Sequence, residues 1–186
     1  IAWSSTASAS TARADRVPGP AGYVRLVART AAILVWLLVA LALHGSWRLV
    51  RRPSPWPPRF LAGVARFAGL RSRIVGIPLR QNVLLLANHQ SWLDILAIAG
   101  ASGSSFVAKG ELADVPLVGW LCRLNDTLFV SRGDRLGVAA QIETLRAAMG
   151  GRQVTIFPEG NTGDGTTLLP FKASLLAVAD PPPPGL

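Results

Sequence analysis

The segment NHQSWLD (88–94) sets an imidazole, His89, five residues before a carboxylate, Asp94, directly after the apolar run VLLLA. In an unbroken helix that spacing turns two side chains about 140° apart around the axis. They meet only if His89 sits in a turn and Asp94 in the first turn of the helix that follows. Ser91 is a good N-cap for such a helix and would make Asp94 its third residue. A carboxylate on one ring nitrogen fixes the imidazole tautomer and stabilises imidazolium, which leaves the other nitrogen to act as a general base. On spacing alone, the plainer arrangement stays slightly ahead: Asp94 only caps its helix and His89 only caps a turn.

A second group of chemistry-bearing residues stands in FPEGNTGDG (157–165), after the run QVTIF. Pro158 and Gly160 predict a rigid turn that exposes Glu159 as an acceptor for a substrate hydroxyl or as an orienting charge. Gly160, Gly163 and Gly165 offer backbone N–H groups to an anion. No GK[ST] follows and LLPF replaces a helix start, which argues against a nucleotide loop and leaves an ordinary glycine turn as the better isolated reading. Other chemistries fare worse. A single cysteine, Cys122, excludes an intramolecular disulfide, and with two histidines it leaves too few ligands for a Cys/His zinc site. No G-x-S-x-G elbow is present and Ser91 lies only two residues from His89, so a serine hydrolase stays a rival class that acyl release to water without acceptor would favour.

The elements that must position these loops are short β-rich runs alternating with helical ones. Strands are expected at 73–77, 83–87, 105–108, 127–130 and 153–157. Helices are expected over 93–99, 115–124 and 135–149, the last between a cap at Asp134 and the stop Gly150-Gly151. The alternation predicts an α/β domain over 73–186 with a mixed, largely parallel sheet flanked by helices. In such sheets chemistry collects in the loops leaving the strands' carboxyl ends, where both groups lie.

The amino-terminal part is different in kind. Of 19 basic residues, the 12 within positions 1–80 are all arginine, and Asp15 is the only acid there. Residues 1–20 are small, polar and aperiodic, expected to be disordered, and carry no apolar core of a signal peptide. From Thr30 to Trp47 no residue bears a formal charge if His44 is neutral, and AAILVWLLVALAL (31–43) is apolar throughout. Eighteen helical residues cover ~27 Å, close to the hydrocarbon thickness of a bilayer. Trp47, Arg48, Arg51 and Arg52 form the aromatic and basic collar of a headgroup boundary. RRPSPWPP (51–58) is expected to break any helix. A second helix, basic and amphipathic, is expected from Arg59 to Leu70, with Phe60, Leu61, Val64, Phe67 and Ala68 on one side. Arg59, Arg66 and Arg73 recur every seven residues, so the first two at least share an edge, and the basic face suits an anionic leaflet. Residues 21–72 therefore read as membrane-anchoring helices. A buried core helix, or a nucleic-acid surface, are the rival uses of these features.

Together NHQSWLD and FPEG, in this order and about seventy residues apart, resemble the N-H-x4-D and second signatures of the glycerolipid acyltransferases, which include 1-acylglycerol-3-phosphate acyltransferases. FVAKGELADVPLVGWLCRLNDTLFVSR (106–132) is similar to that family's connecting segment, which ends in a strand and an arginine. The likeness runs over about 83–171, and the apolar, basic front resembles the family's membrane-docking helices. It implies that His89 deprotonates a lysolipid hydroxyl, which attacks an acyl thioester, while Asp94 holds the imidazole. Arg132 would hold the acceptor's phosphate, Glu159 with the Gly160 turn would position the acceptor, and Lys172 would add positive charge. Arg132 fits a surface ion pair with Asp134 or Glu143 nearly as well, and Lys109 fits a solvent-exposed strand end.

No metal or cofactor is implied; acyl-CoA or acyl-carrier protein would be the donor. The expected setting is a membrane with the site on its cytoplasmic face. The partners would be membrane lipids, the donor and a lysolipid acceptor, and no nucleic acid. Three departures bear on this reading. Asp126 stands where the family's second block usually opens with glycine. NTGDG, with Asp164, follows FPEG where phosphate-acceptor enzymes commonly place a basic residue. That change makes a zwitterionic lyso-ornithine lipid the alternative acceptor to 1-acylglycerol-3-phosphate. ADPPPPGL ends the chain where the family has a further strand and a Val-Pro pair. Prolines supply no N–H to a ladder, so the domain is expected to be incomplete there, and a truncated, inactive membrane-binding protein is a further alternative.

Overall fold

The computed structural model describes residues 19–77, 81–130, 142–143, 145–147 and 151–179. Helix α1 spans Pro20–Leu49, 30 residues, or roughly 45 Å of axis. Pro20 suits a first turn because its fixed φ is helical and its missing N–H has no acceptor there. It also places the helix start inside the stretch expected to be disordered; residues 1–18 lie outside the described residues. The most apolar 18-residue window of α1 has a mean hydropathy of 2.4 and is 6% buried. By length and composition the helix can cross a membrane, and little of that window is buried.

Helix α2, Trp56–Ala68, begins inside RRPSPWPP. The expected break falls between Leu49 and Trp56, but it is shorter than 51–58: Pro57 and Pro58 occupy the first turn of α2, where no helical N–H is required. The helix ends at Gly69 (φ 89°), with Leu70 N–H on Ala65 O (2.8 Å) and Gly69 N–H on Arg66 O (3.0 Å). This is a Schellman stop, and it leaves Arg73 beyond the helix, so only Arg59 and Arg66 share an edge of it. Nor does the apolar face lie open for a leaflet. Val64 and Ala65 are buried with Leu96, packed by Ile33, Trp36, Phe60 and Leu61. Two glycines allow this closeness. A Cβ on Gly63 would overlap the Trp36 ring, which donates its indole N–H to Phe60 O at 3.2 Å, and one on Gly100 would come 2.7 Å from Ala62 Cα.

The α/β domain contains β1 (Val83–Leu86), α3 (Leu93–Ser102), β2 (Ser105–Lys109), α4 (Pro116–Leu124), β3 (Leu128–Val130) and β4 (Gln153–Ile156). The sheet order is β1-β4-β2-β3, and every pairing among these strands is parallel. The expected fold class is thus the one observed. The expected strand at 73–77 is not formed: Gly76 has φ +100°, which ends any extended run, and Ile77 is 85% exposed with no partner strand. Strand β4 is buried along its whole length. Val154 and Ile156 pack with Leu145 on one face, while Thr155 bonds to Ser104 (2.7 Å between hydroxyls) on the other. Residues 142–143 and 145–147 are helical within the expected helix 135–149; Asp134 and Arg132 lie outside the described residues, as do 180–186.

Candidate active site

Strand order decides the site. Because β1 and β4 are adjacent and parallel, with Leu86 opposite Ile156, their carboxyl ends lie side by side. The loops NHQSWLD and FPEG, far apart in sequence, therefore emerge together at one sheet edge, the place where open parallel sheets hold ligands.

His89 Nδ1 lies 3.1 Å from Asp94 Oδ2. The same oxygen accepts the Gln90 N–H (2.7 Å) and the Ser91 N–H (2.9 Å). Helix α3 starts at Leu93, with Trp92 rather than Ser91 at its boundary; Ser91 Oγ accepts the Leu93 N–H at 3.2 Å. The two readings of Asp94 are therefore not exclusive, since one carboxylate both closes the helix start and meets the imidazole. Burial pushes the Asp94 carboxyl up, but the hydrogen bonds from His89, Ser91 and Gln90 outweigh it and hold the group below its ordinary range. The His89 ring also stacks on Phe157 (centroids 4.1 Å, 18°), which in turn stacks on Phe106 (5.8 Å, 11°). Sequence reasoning missed Phe157 as a positioning residue, although it is the first letter of FPEG; stacking across two loops has no signature in spacing.

Glu159 corrects an expectation. It is 3% exposed, not presented by its turn. Its Oε1 accepts the His89 N–H (3.2 Å) and its Oε2 the Leu169 N–H (3.0 Å), so it straps the two loops together. Two of the three glycine amides are likewise spent internally: Gly160 N–H on Phe157 O (2.9 Å) and Gly163 N–H on His89 O (2.7 Å). Gly160 has φ +64°, the left-handed turn that an L-residue resists. Lys172 donates its backbone N–H to Pro158 O (2.9 Å), and its half-buried side chain sits just beyond this turn. Lys109, at the end of β2, donates Nζ to Asn161 Oδ1 at 3.3 Å.

A cavity of about 220 Å³ opens at these loops, lined by Asn88, His89, Gln90, Glu159, Thr166 and Thr167 among others. A second, apolar cavity of about 40 Å³ lies away from this chemistry between α1, α2 and α4, against Leu41, Trp56, Phe60 and Leu121.

A parallel sheet with an oriented His–Asp pair at its carboxyl edge describes a class of group-transfer enzymes, and the comparisons specify which. Residues 71–182 match the family model described as Acyltransferase, and the chain belongs to that family. It is 37% identical over 172 residues to a lyso-ornithine lipid O-acyltransferase of Rhodobacter capsulatus (88% of this chain, 62% of the relative). It is 42% identical over 101 residues to a 1-acyl-sn-glycerol-3-phosphate acyltransferase of Neisseria gonorrhoeae (52% of this chain, 38% of the relative). The crystal structure of the 1-acyl-sn-glycerophosphate acyltransferase PlsC from Thermotoga maritima matches with a TM-score of 0.52 and 26% identity, covering 83% of this chain and 70% of that one. The chain spans 62% of the Rhodobacter relative and 45% of one from Rhizobium meliloti.

Proposed function

We propose that this chain carries a membrane-associated O-acyltransferase that moves an acyl chain from a thioester donor, acyl-CoA or acyl-carrier protein, to the hydroxyl of a lysolipid. The observation that carries the reading is the 3.1 Å contact of His89 with Asp94 beside an open cavity. His89 takes the acceptor's hydroxyl proton through the ring nitrogen that Asp94 does not occupy, and the alkoxide attacks the thioester carbonyl. The tetrahedral intermediate expels the thiolate, which takes the proton back from imidazolium. Asp94 stabilises that imidazolium and fixes the ring. Glu159 holds His89 by its backbone, and Gly160 makes the turn that allows it. Lys172 supplies positive charge near the turn, and Arg132, just past β3, holds an acceptor's anionic group. Helix α1 keeps the site at the bilayer, and the arginines around it favour the cytoplasmic face, where the donor is made.

Lyso-ornithine lipid is the preferred acceptor, supported by the Rhodobacter likeness over most of the chain. Lysophosphatidate is the second reading, supported by the Neisseria and Thermotoga relatives. The test is acyl transfer by the purified protein in lipid vesicles, with an acyl-CoA and either lysolipid. The expected result is an acylated lipid formed one for one with free thiol. Thiol release without an acylated lipid would mean hydrolysis and would overturn the reading.

A further inference from the structure

The cavity beside His89 is walled by neutral hydrogen-bonding side chains, those of Asn88, Gln90, Thr166 and Thr167. No lysine or arginine is among its described lining residues. Glu159 cannot answer a ligand's charge, because both its oxygens already accept backbone N–H groups. Asp164 is placed differently. It lies between Gly163 and Gly165, which both line the cavity, and it is exposed. Its Oδ1 accepts the Thr166 N–H (2.9 Å) and the Thr167 N–H (3.4 Å). Bonds from the Thr166 hydroxyl and these amides hold its carboxyl below the usual range, so it is anionic at neutral pH. The loop's path is fixed beside it. Gly165 has φ +78°, and a Cβ there would come 2.8 Å from the Gln90 side chain. Three residues before Asp164, Asn161 Oδ1 accepts a hydrogen bond from the Lys109 ammonium (3.3 Å).

We infer that Asp164 selects the acceptor: its carboxylate receives an ammonium in the headgroup of the lysolipid whose hydroxyl reaches His89. The inference rests on acyl transfer at His89 and narrows its acceptor to a zwitterionic amino-acid lipid. An ornithine headgroup keeps one ammonium whichever of its two amines carries the chain. A phosphomonoester would find no cation among the described lining residues of the cavity, and the Asp164 carboxylate between two of them would repel it.

The test compares lyso-ornithine lipid, the same lipid with its amine acetylated, and lysophosphatidate, each with wild type, Asp164→Asn and Asp164→Lys. Asparagine keeps the Oδ1 acceptor for the Thr166 and Thr167 amides and removes only the charge. Wild type should favour the free amine over the acetylated lipid by about two- to fivefold, in KM rather than kcat. Asp164→Asn should erase that preference, and Asp164→Lys should shift it toward lysophosphatidate. An unchanged free-to-acetylated ratio in Asp164→Asn would overturn the inference. Equilibrium binding of the two ornithine lipids to vesicle-bound protein reads the same ratio without turnover. If wild type acylates nothing, the acyl-transfer reading fails, while the binding ratio still decides the role of Asp164.

Discussion

His89 is held at four points: Nδ1 by Asp94, one ring face by Phe157, its N–H by Glu159 and its C=O by the Gly163 amide. Such constraint is what a general base needs, since a base displaced by about 1 Å loses most of its advantage. Asp94 has two duties, and they separate under substitution. Asp94→Asn keeps an acceptor for the Gln90 and Ser91 amides but cannot stabilise imidazolium, so kcat for acyl transfer should fall about a hundredfold or more. The depressed Asp94 carboxyl also links folding to pH. Its native value lies below the unfolded one, so it contributes stability that is present above about pH 3.9 and is lost as pH falls toward the native value. Urea midpoints measured from pH 5 down to pH 2 should drop less steeply for Asp94→Asn than for wild type. Parallel curves would show that the carboxylate is not favoured by folding.

At the scale of elements, the adjacency of β1 and β4 makes the site, and Glu159 locks it. Glu159→Gln leaves one carbonyl oxygen for two N–H donors and turns an NH2 toward the other, so a buried bond is lost at about 1–3 kcal/mol. Denaturant unfolding should show that loss together with a lower kcat; unchanged stability would mean that the strap is ornamental. The strands and helices of the α/β domain were legible because β-rich runs and helical runs alternate, whereas spacing left the His89–Asp94 meeting open, with the plainer capping arrangement slightly ahead. Three things were not legible. Prolines inside α2 look like breakers until the helix start is known. The run 73–77 has strand composition, but only a neighbour makes a strand, and it has none among the described residues. The burial of Glu159 depends on the β1–β4 pairing, a contact across 70 residues that no local spacing encodes.

Across the whole molecule, an unburied apolar helix and a basic front precede a sheet whose chemistry sits at one edge. The α2 face that suits a leaflet packs on α1 and α3 instead, which leaves α1, among the described residues, as the helix long and apolar enough to cross a membrane. Insertion of α1 by the hydrophobic effect resists salt, whereas arginine attraction alone does not. The protein should therefore float with anionic vesicles and stay bound at about 1 M salt. Release by salt would reduce the front to an electrostatic tether. The most direct test of the account is transfer from acyl-CoA to lysolipid in such vesicles by wild type beside His89→Ala. A base contributes about a hundredfold to ten-thousandfold, so the alanine protein should bind vesicles normally and transfer at least about a hundredfold more slowly. Equal rates would contradict the claim that His89 takes the acceptor's proton.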